Sequence, residues 1–169
     1  MNKDLKTAIK TVQTEIKALK KLSASFKSSS QFSRAVNLIS KMKGKCLVVG
    51  VGKSYLIGLK ISATLSSLGT PSVAFAANDL QHGGLGAIQK NYDALLVLSV
   101  SGESAELNSI LNYANRHNIP VIGVSCKSSS MLLKNSTIKI LLPKVSEAGH
   151  MLAPTSSSLN FLAWGDSLA

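Results

Sequence analysis

"CLVVGVGKSYLIG", residues 46–58, decides the fold class. The apolar run 46–51 predicts a buried strand, and the helical pattern that starts at Lys53 predicts a helix directly after a glycine turn. A buried strand that feeds straight into a helix is the repeating unit of α/β proteins. The stretch therefore predicts an α/β fold in which the first turn places a lysine and a serine at a helix start.

The same alternation continues to the end of the chain. Strands are predicted at 46–51, 71–76, 93–100, 120–126 and 137–143, and helices at 53–68, 103–117, 131–135 and from near Pro154 onward. Residues 78–90 are short and irregular, with one helical turn. The continuous apolar character of the third strand, 93–100, indicates burial on both of its faces. We expect a three-layer α/β sandwich around a five-stranded parallel sheet of the flavodoxin or Rossmann type.

The N-terminal segment is predicted to be a helical extension. Residues 3–22 carry one apolar stripe at spacings of three and four, formed by Leu5, Ile9, Val12, Ile16 and Leu19. The Ser-rich stretch 23–30 predicts a loop or helix break, and 31–43 a second helix. We divide the chain into an extension (1–30) and a domain (31–169). The stripe needs a partner surface, within the domain or on another subunit.

Composition favours one globular domain. The chain has 169 residues, of which 45% are hydrophobic, enough for a sizeable core. No apolar run is long enough for a membrane span and the N-terminus lacks a signal-peptide pattern, so we expect no membrane contact. Cys46 and Cys126 lie in apolar strands and are predicted to be buried free thiols of a reducing compartment, so we expect a cytoplasmic protein.

The net charge of +11 raises the question of nucleic-acid binding. Residues 1–45 hold eleven Lys or Arg against two acidic residues, whereas the other 124 residues hold eight against six. The charge therefore belongs to the N-terminal segment, and few aromatic residues accompany it. We expect no specific nucleic acid as a partner.

The first turn excludes the two common nucleotide motifs. A P-loop needs a glycine where Leu47 stands, and the dinucleotide fingerprint needs one at Tyr55. Gly52, Lys53 and Ser54 then suit a single phosphate or a sugar at a helix N-terminus. The alternative is a structural glycine turn with a surface lysine.

Two further turns repeat the pattern of hydroxyl groups at a helix start. SVSGESAEL (99–107) and SEAGHMLAPTSSSLNF (146–161) each follow a predicted strand, so they belong to the same sheet edge. The candidate phosphate-binding residues are Ser101, Gly102, Ser104, Thr155, Ser156 and Ser157. The alternative for the first of these turns is an ordinary helix cap made by Ser101 with Ser104 or Glu103. In the second of these turns, Glu147 lies shortly before the predicted helix start.

NDLQHGGLG, residues 78–86, is the fourth feature. His82 is followed by two glycines, which let backbone approach a ligand closely. A surface histidine without a role is the alternative reading.

Five short motifs, GVGKS, GTPS, HGGLG, SGES and LAPTSS, carry a resemblance. In this order and spacing they resemble the sugar isomerase (SIS) domain family over roughly residues 30–169, and within it the arabinose-5-phosphate isomerase type. The resemblance implies interconversion of ribulose 5-phosphate and arabinose 5-phosphate through a cis-enediol, for Kdo and lipopolysaccharide synthesis. It also implies a homodimer or homotetramer, no cofactor and no metal.

The resemblance also implies roles for residues. Lys53, Glu103, Glu147 and His82 match the family's catalytic positions, with either glutamate as the base and Lys53 facing the enediolate charge. A base for this reaction should have a raised pKa in a partly dry site. Gly69 and Thr70 match a substrate-lining pair, and His82 also contacts substrate.

Three departures from the family pattern qualify this reading. Ala76 stands where a histidine linked with metal inhibition is typical, and the stretch between Glu147 and Pro154 is one residue short and holds His150. The chain also stops before a further family histidine and the CBS domains, as a fragment or a minimal form would. A non-catalytic phosphosugar sensor and an isomerase for a hexulose 6-phosphate remain the alternatives.

Overall fold

The computed structural model describes residues 2–27, 29–149 and 153–169. Its five strands are β1 (Cys46–Gly50), β2 (Ser72–Ala76), β3 (Ala94–Leu98), β4 (Val121–Ser125) and β5 (Ile138–Leu141). All neighbouring pairs are parallel, and the strand order is β2-β1-β3-β4-β5. The predicted five-stranded parallel sheet is confirmed, with the flavodoxin-like order and a topological switch point between β1 and β3.

Seven α-helices surround the sheet in the described part of the chain. They are α1 (Lys3–Phe26), α2 (Ser30–Lys41), α3 (Lys53–Ser67), α4 (Ala77–Gln81), α5 (Leu107–Arg116), α6 (Met131–Lys134) and α7 (Ser156–Leu168). A short 3-10 helix spans Gly84–Ala87.

Alternating strand residues face two separate cores. Val48 and Leu96 belong to the core that α2, α3 and α7 cover, whereas Leu47 and Leu95 belong to the core under α4 and α5. Residues one apart in a strand point to opposite faces, so burial on both sides requires apolar residues at every position. The predicted three-layer sandwich follows from that continuous apolar character and is confirmed.

α3 and α7 pack closely because α7 carries a glycine at the contact. A Cβ atom at Gly165 would lie 2.3 Å from the Cδ1 atom of Ile61, which is fully buried. The outer face of α7 is covered by α1, which buries Ala18 and Leu22. The N-terminal helix is thus docked on the domain along its second half.

The first half of α1 leaves its apolar stripe uncovered. Leu5, Ile9, Val12 and Ile16 are between 45% and 57% exposed, and Leu19 is half-buried. No helix of the described residues has the length and apolar character needed to cross a bilayer. The stripe is therefore a surface feature of the single chain.

Two predicted boundaries were wrong. α1 runs through Phe26 instead of ending before the Ser-rich stretch, because Leu22 and Phe26 at its end pack against the core. Ser28, in the same stretch, lies outside the described residues. α5 begins at Leu107 instead of 103, because the chain first makes a loop through Gly102.

A buried carboxylate joins the amino ends of β1 and β3. Asp93 is 2% exposed and accepts hydrogen bonds from the backbone N–H groups of Lys45 (2.8 Å) and Gln89 (2.8 Å). The Lys45 ammonium lies 2.9 Å from the Oδ2 atom of Asp93. Burial alone raises the pKa of Asp93, but these donors outweigh it and leave the pKa below the ordinary aspartate value.

Both cysteines are free thiols, as predicted. Cys46 is fully buried, and burial raises its pKa to about 12. Cys126 is only half-buried, which corrects the prediction of complete burial, and its pKa is raised to about 11. The half-buried thiol lines the cavity described next.

Candidate functional site

A cavity of about 360 Å³ opens at the carboxyl edge of the sheet. The loops that follow β3, β4 and β5 line it together with the start of α7. Its polar lining residues are Ser101, Cys126, Lys127, Lys144, Glu147 and Ser157. Of the predicted site residues, Ser101, Glu147 and Ser157 line this cavity, whereas Ser104 and Thr155 do not.

The loop after β3 is held by its own serines. The backbone N–H of Gly102 donates to the buried Ser99 hydroxyl (3.0 Å), which lies 3.4 Å from the Ser104 hydroxyl. Ser101 is exposed, and its oxygen accepts from the Glu103 N–H (3.3 Å), which leaves the Ser101 proton free to donate to a ligand. Because α5 starts only at Leu107, these serines belong to a loop and do not cap the helix.

Gly102 fixes the path of this loop. Its φ angle of +65° favours glycine, and a Cβ atom there would lie 2.6 Å from the Ser130 side chain. Its carbonyl accepts from the Leu132 N–H (3.0 Å). The loop after β3 is therefore clamped against the start of α6.

Glu103 does not line the cavity, but it forms an ion pair with Lys127, which does. Its Oε1 atom is 2.7 Å from the Lys127 ammonium, and both side chains are more than 40% exposed. The hydrogen bond from Lys127 lowers the pKa of Glu103 below its ordinary value. The expectation of a raised pKa was wrong for this residue, because it is neither dry nor unpaired.

Glu147 caps the N-terminus of α7. Its Oε2 atom accepts from the Thr155 N–H (2.7 Å), the Thr155 hydroxyl (3.1 Å) and the Ser157 N–H (3.2 Å). Burial alone raises the pKa of Glu147, but the hydrogen bonds from Ser157 and Thr155 outweigh it, and the pKa is lowered. The expected raised pKa is therefore also wrong here, because the helix N-terminus stabilises the charge.

The start of α7 is consequently occupied by the protein's own carboxylate. Thr155 donates its hydroxyl proton to Glu147 and accepts from the Ala148 N–H (2.8 Å), which leaves it no free proton for a phosphate. Ser156 and Ser157 are buried, and the Ser156 hydroxyl makes no hydrogen bond among the described residues. This helix start is not an open anion site in the structure.

The start of α3 lies on the same edge and is open. Gly52 and Lys53 are exposed, Ser54 is half-buried, and no side chain in the described part of the chain caps this end of the helix. Because β1 neighbours β3, this turn flanks the loop that holds Ser101. The two loops border the switch point, where ligands of such sheets bind. Lys53 does not line the 360 Å³ cavity itself.

His82 follows β2, which is the outer strand on this side. It ends α4, is exposed, and donates its N–H to the Asp79 carbonyl (3.1 Å). It shares the carboxyl edge with Lys53 but does not line the cavity. Within one chain the structure places it beyond β1 from Glu147.

Gly69 and Thr70 lie at the opposite edge of the sheet. They end α3 ahead of β2, with Gly69 at φ +93° and the Thr70 N–H bonded to the Leu65 carbonyl (2.9 Å). A five-residue strand separates the two edges by about 16 Å. The structure therefore does not bring this pair to the cavity of the same chain, and its local role is to end a helix.

Two lysines of the cavity were missed by the sequence analysis. Lys127 follows β4 and Lys144 follows β5, but neither belongs to a recognisable motif. The available signal was their position, since all turns after parallel strands meet at one edge. The sequence analysis singled out residues after β1, β2, β3 and β5 and omitted the turn after β4.

The described residues contain no group of three or more His, Cys, Asp or Glu side chains that could hold a metal ion. His150, noted for the shortened stretch after Glu147, lies outside the described residues.

Comparison with known proteins gives consistent matches. The model of the SIS domain matches residues 38–169. Arabinose 5-phosphate isomerase KdsD of Francisella tularensis is 35% identical over 173 residues, covering 100% of this chain and 52% of the relative. KdsD of Pseudomonas aeruginosa is 40% identical over 139 residues, covering 82% and 42%. The chain spans about half the length of the curated relatives that it matches.

A solved structure agrees with these matches. An Escherichia coli CFT073 protein in complex with arabinose 5-phosphate superposes with a TM-score of 0.89 at 32% identity, covering 99% of this chain and 89% of that one. Its similarity therefore includes the N-terminal helix as well as the sheet.

Proposed function

The chain belongs to the SIS domain family, as its five motifs predicted, and from this premise we propose that it is an aldose–ketose isomerase of sugar phosphates. The proposed reaction interconverts ribulose 5-phosphate and arabinose 5-phosphate, the sugar that names the curated relatives. The observation that carries the proposal is the Glu147 carboxylate, held at the wall of a cavity on the carboxyl edge.

The phosphate end of the substrate fits the switch point. The uncapped start of α3 offers N–H groups, and Lys53, Ser54, Ser101 and Ser104 add a cation and hydroxyls. Gly52 adds no side chain to this border, and the space where its Cβ atom would lie is open. His82 lies on the same side, where it can contact the phosphate-bearing half of the sugar.

Glu147 is the better placed base of the two glutamates. Oε2 is fixed by α7, while Oε1 accepts no hydrogen bond from the described residues and is free to take a proton. The hydrogen bonds that lower the pKa of Glu147 keep it ionised, which is the form that a base needs. Glu103 is exposed and already paired with Lys127.

The reaction needs only proton transfers within this site. Glu147 removes the proton at C1 of the ketose, the electron pair moves through the C1–C2 bond to the C2 oxygen, and a cis-enediolate forms. Return of the proton to C2, with transfer of the O1 proton to O2, gives the aldose. The proton that Glu147 removes from C1 can exchange with solvent before a proton returns to C2, so the reaction leaves an isotopic label in deuterated water.

Deuterium incorporation tests this function. Incubation of the protein with ribulose 5-phosphate in deuterated water should yield arabinose 5-phosphate labelled at C2, observed by NMR, because the base exchanges its proton with solvent. Unphosphorylated ribulose is the control and should stay unlabelled. Saturable binding of ribulose 5-phosphate without label would instead identify a phosphosugar-binding module. Faster labelling of a hexulose 6-phosphate would identify that sugar phosphate, and not ribulose 5-phosphate, as the substrate.

We also propose that the protein is a homodimer or homotetramer. The uncovered stripe of α1 has spacings of four, three and four, which is the seam of a coiled coil, and a second copy is the occupant that matches it. Two free thiols fit a reducing compartment, so we infer a cytoplasmic location. There its product would feed Kdo and lipopolysaccharide synthesis.

Val12→Lys is expected to convert the oligomer to a monomer. Val12 is 55% exposed in the single chain, so lysine there leaves the fold intact but puts charges into the paired stripe. Light scattering at tens of micromolar measures the change. Gln13→Lys, on the exposed face of the same helix, is the matched control and should keep the oligomer. A wild-type monomer at this concentration contradicts the proposal.

A further inference from the structure

Lys144 is the cation that shares the cavity with the proposed base. It follows β5, is exposed, and lines the same wall as Glu147 and Cys126. Among the described residues no carboxylate lies within ion-pair distance of its ammonium group. Its charge is therefore available to a ligand in the cavity.

Cys126 indicates that the Glu147 carboxylate and the Lys144 ammonium group act on the same part of the cavity. Burial is the main cause of its raised pKa, but the charge of Glu147 raises that pKa further and the charge of Lys144 lowers it. A single thiol on the cavity wall thus lies within reach of the carboxylate and the ammonium group.

Lys127 and Lys53, the other two lysines near the site, are less suited to binding a negative charge in the cavity. Lys127 is committed to Glu103 by the 2.7 Å ion pair. Lys53 starts α3 at the switch point and does not line the cavity. Lys144 is the lysine of this cavity that has no ionic partner in the described part of the chain.

Proton removal from C1 needs such a cation. As the carbon–hydrogen bond breaks, its electron pair forms the C1–C2 double bond and the carbonyl electrons move to O2, which becomes negative. A positive group placed beforehand next to that oxygen stabilises the transition state more than the substrate. In a pentose 5-phosphate, C1 and C2 are the end farthest from the phosphate.

Building on the proposed function, we propose that Lys144 is a catalytic residue that pairs with the enediolate oxygens at C1 and C2, while the phosphate lies at the switch point. The sugar then runs from the loops after β1 and β3 toward Glu147. The inference assigns the electrophilic role to Lys144, instead of to Lys53 as the family resemblance implies.

Two ligands that differ only at C1 test this. 5-Phosphoarabinonate carries a carboxylate where the enediolate charge develops, and arabinitol 5-phosphate carries a neutral alcohol there. We expect calorimetry to show that Lys144→Gln weakens binding of the phosphoarabinonate about 10- to 100-fold, the range for one charged hydrogen bond. Arabinitol 5-phosphate should bind the variant as it binds the wild type.

Controls keep the outcomes separate. Lys139→Gln makes the same charge change on an exposed residue of β5 outside the cavity and should alter neither affinity. Lys144→Arg should retain most of the preference for the carboxylate. Equal weakening of both ligands places Lys144 at the phosphate and overturns the inference, as does unchanged binding of both. If the wild type binds neither ligand, the proposed function itself fails.

Discussion

Replacing Glu147 with glutamine is expected to lower the turnover number for ribulose 5-phosphate by about 10²- to 10⁴-fold, the usual contribution of a general base. Glutamine keeps a carbonyl oxygen that can accept from the Thr155 N–H, so α7 stays capped while the basic group is lost. Initial rates of arabinose 5-phosphate formation measure the effect. The Michaelis constant should change little.

Glu103→Gln is the matched control for this substitution. It removes the other candidate carboxylate, but Glu103 is exposed and paired with Lys127. Since an exposed ion pair contributes at most about 1 kcal/mol, we expect a loss of turnover below about tenfold. A large loss in Glu103→Gln together with near-normal turnover in Glu147→Gln would reverse the assignment. Thermal melting of both variants verifies that they fold.

Replacing Asp93 with alanine is expected to lower the free energy of unfolding by about 3 kcal/mol, because buried N–H donors lose a charged acceptor. For a chain of this size about 3 kcal/mol corresponds to a fall in Tm of roughly 6–12 °C. The carboxylate holds the Lys45 and Gln89 backbones at the amino edge. Calorimetric melting measures the effect.

Asp166→Ala is the surface control for Asp93. Asp166 pairs with Lys60, but both side chains are more than 40% exposed, so the expected loss is below about 1 kcal/mol. The effect of Asp93 should also depend on pH. Because its folded pKa is lowered, its contribution is complete above the ordinary value of 3.8 and disappears as the pH falls through the folded pKa. Equal losses in the two variants would contradict the buried-anchor role.

The sheet and its order of elements were predictable because β1, β3 and β4 are nearly continuous apolar runs that end at, or next to, a glycine or serine. Helix starts were less predictable. α5 begins at Leu107 since Gly102 adopts a positive φ and the loop closes on Ser130, a contact with a residue almost thirty positions away. Local sequence pattern carries no information on such contacts.

The candidate site was predictable where residues belong to motifs and unpredictable where pairing decides their state. Glu147 was identified, but its cap on α7 depends on a return of the chain over eight residues. The partner of Glu103 comes from the loop after β4, which no motif marks. Gly69 and Thr70 were carried over from the family resemblance, whereas their position ahead of β2 places them on the other edge.

Gly165 fixes the position in which α7 packs against α3. Because Ile61 fills the space that a side chain at this position would occupy, α7 cannot rotate or slide without opening a gap in the core. Gly165 is eight residues, about 12 Å along the helix axis, from Ser157 near the start of α7. A larger side chain at residue 165 would therefore shift the helix start and the Glu147 carboxylate that caps it, and so alter the proposed isomerase reaction from a distance.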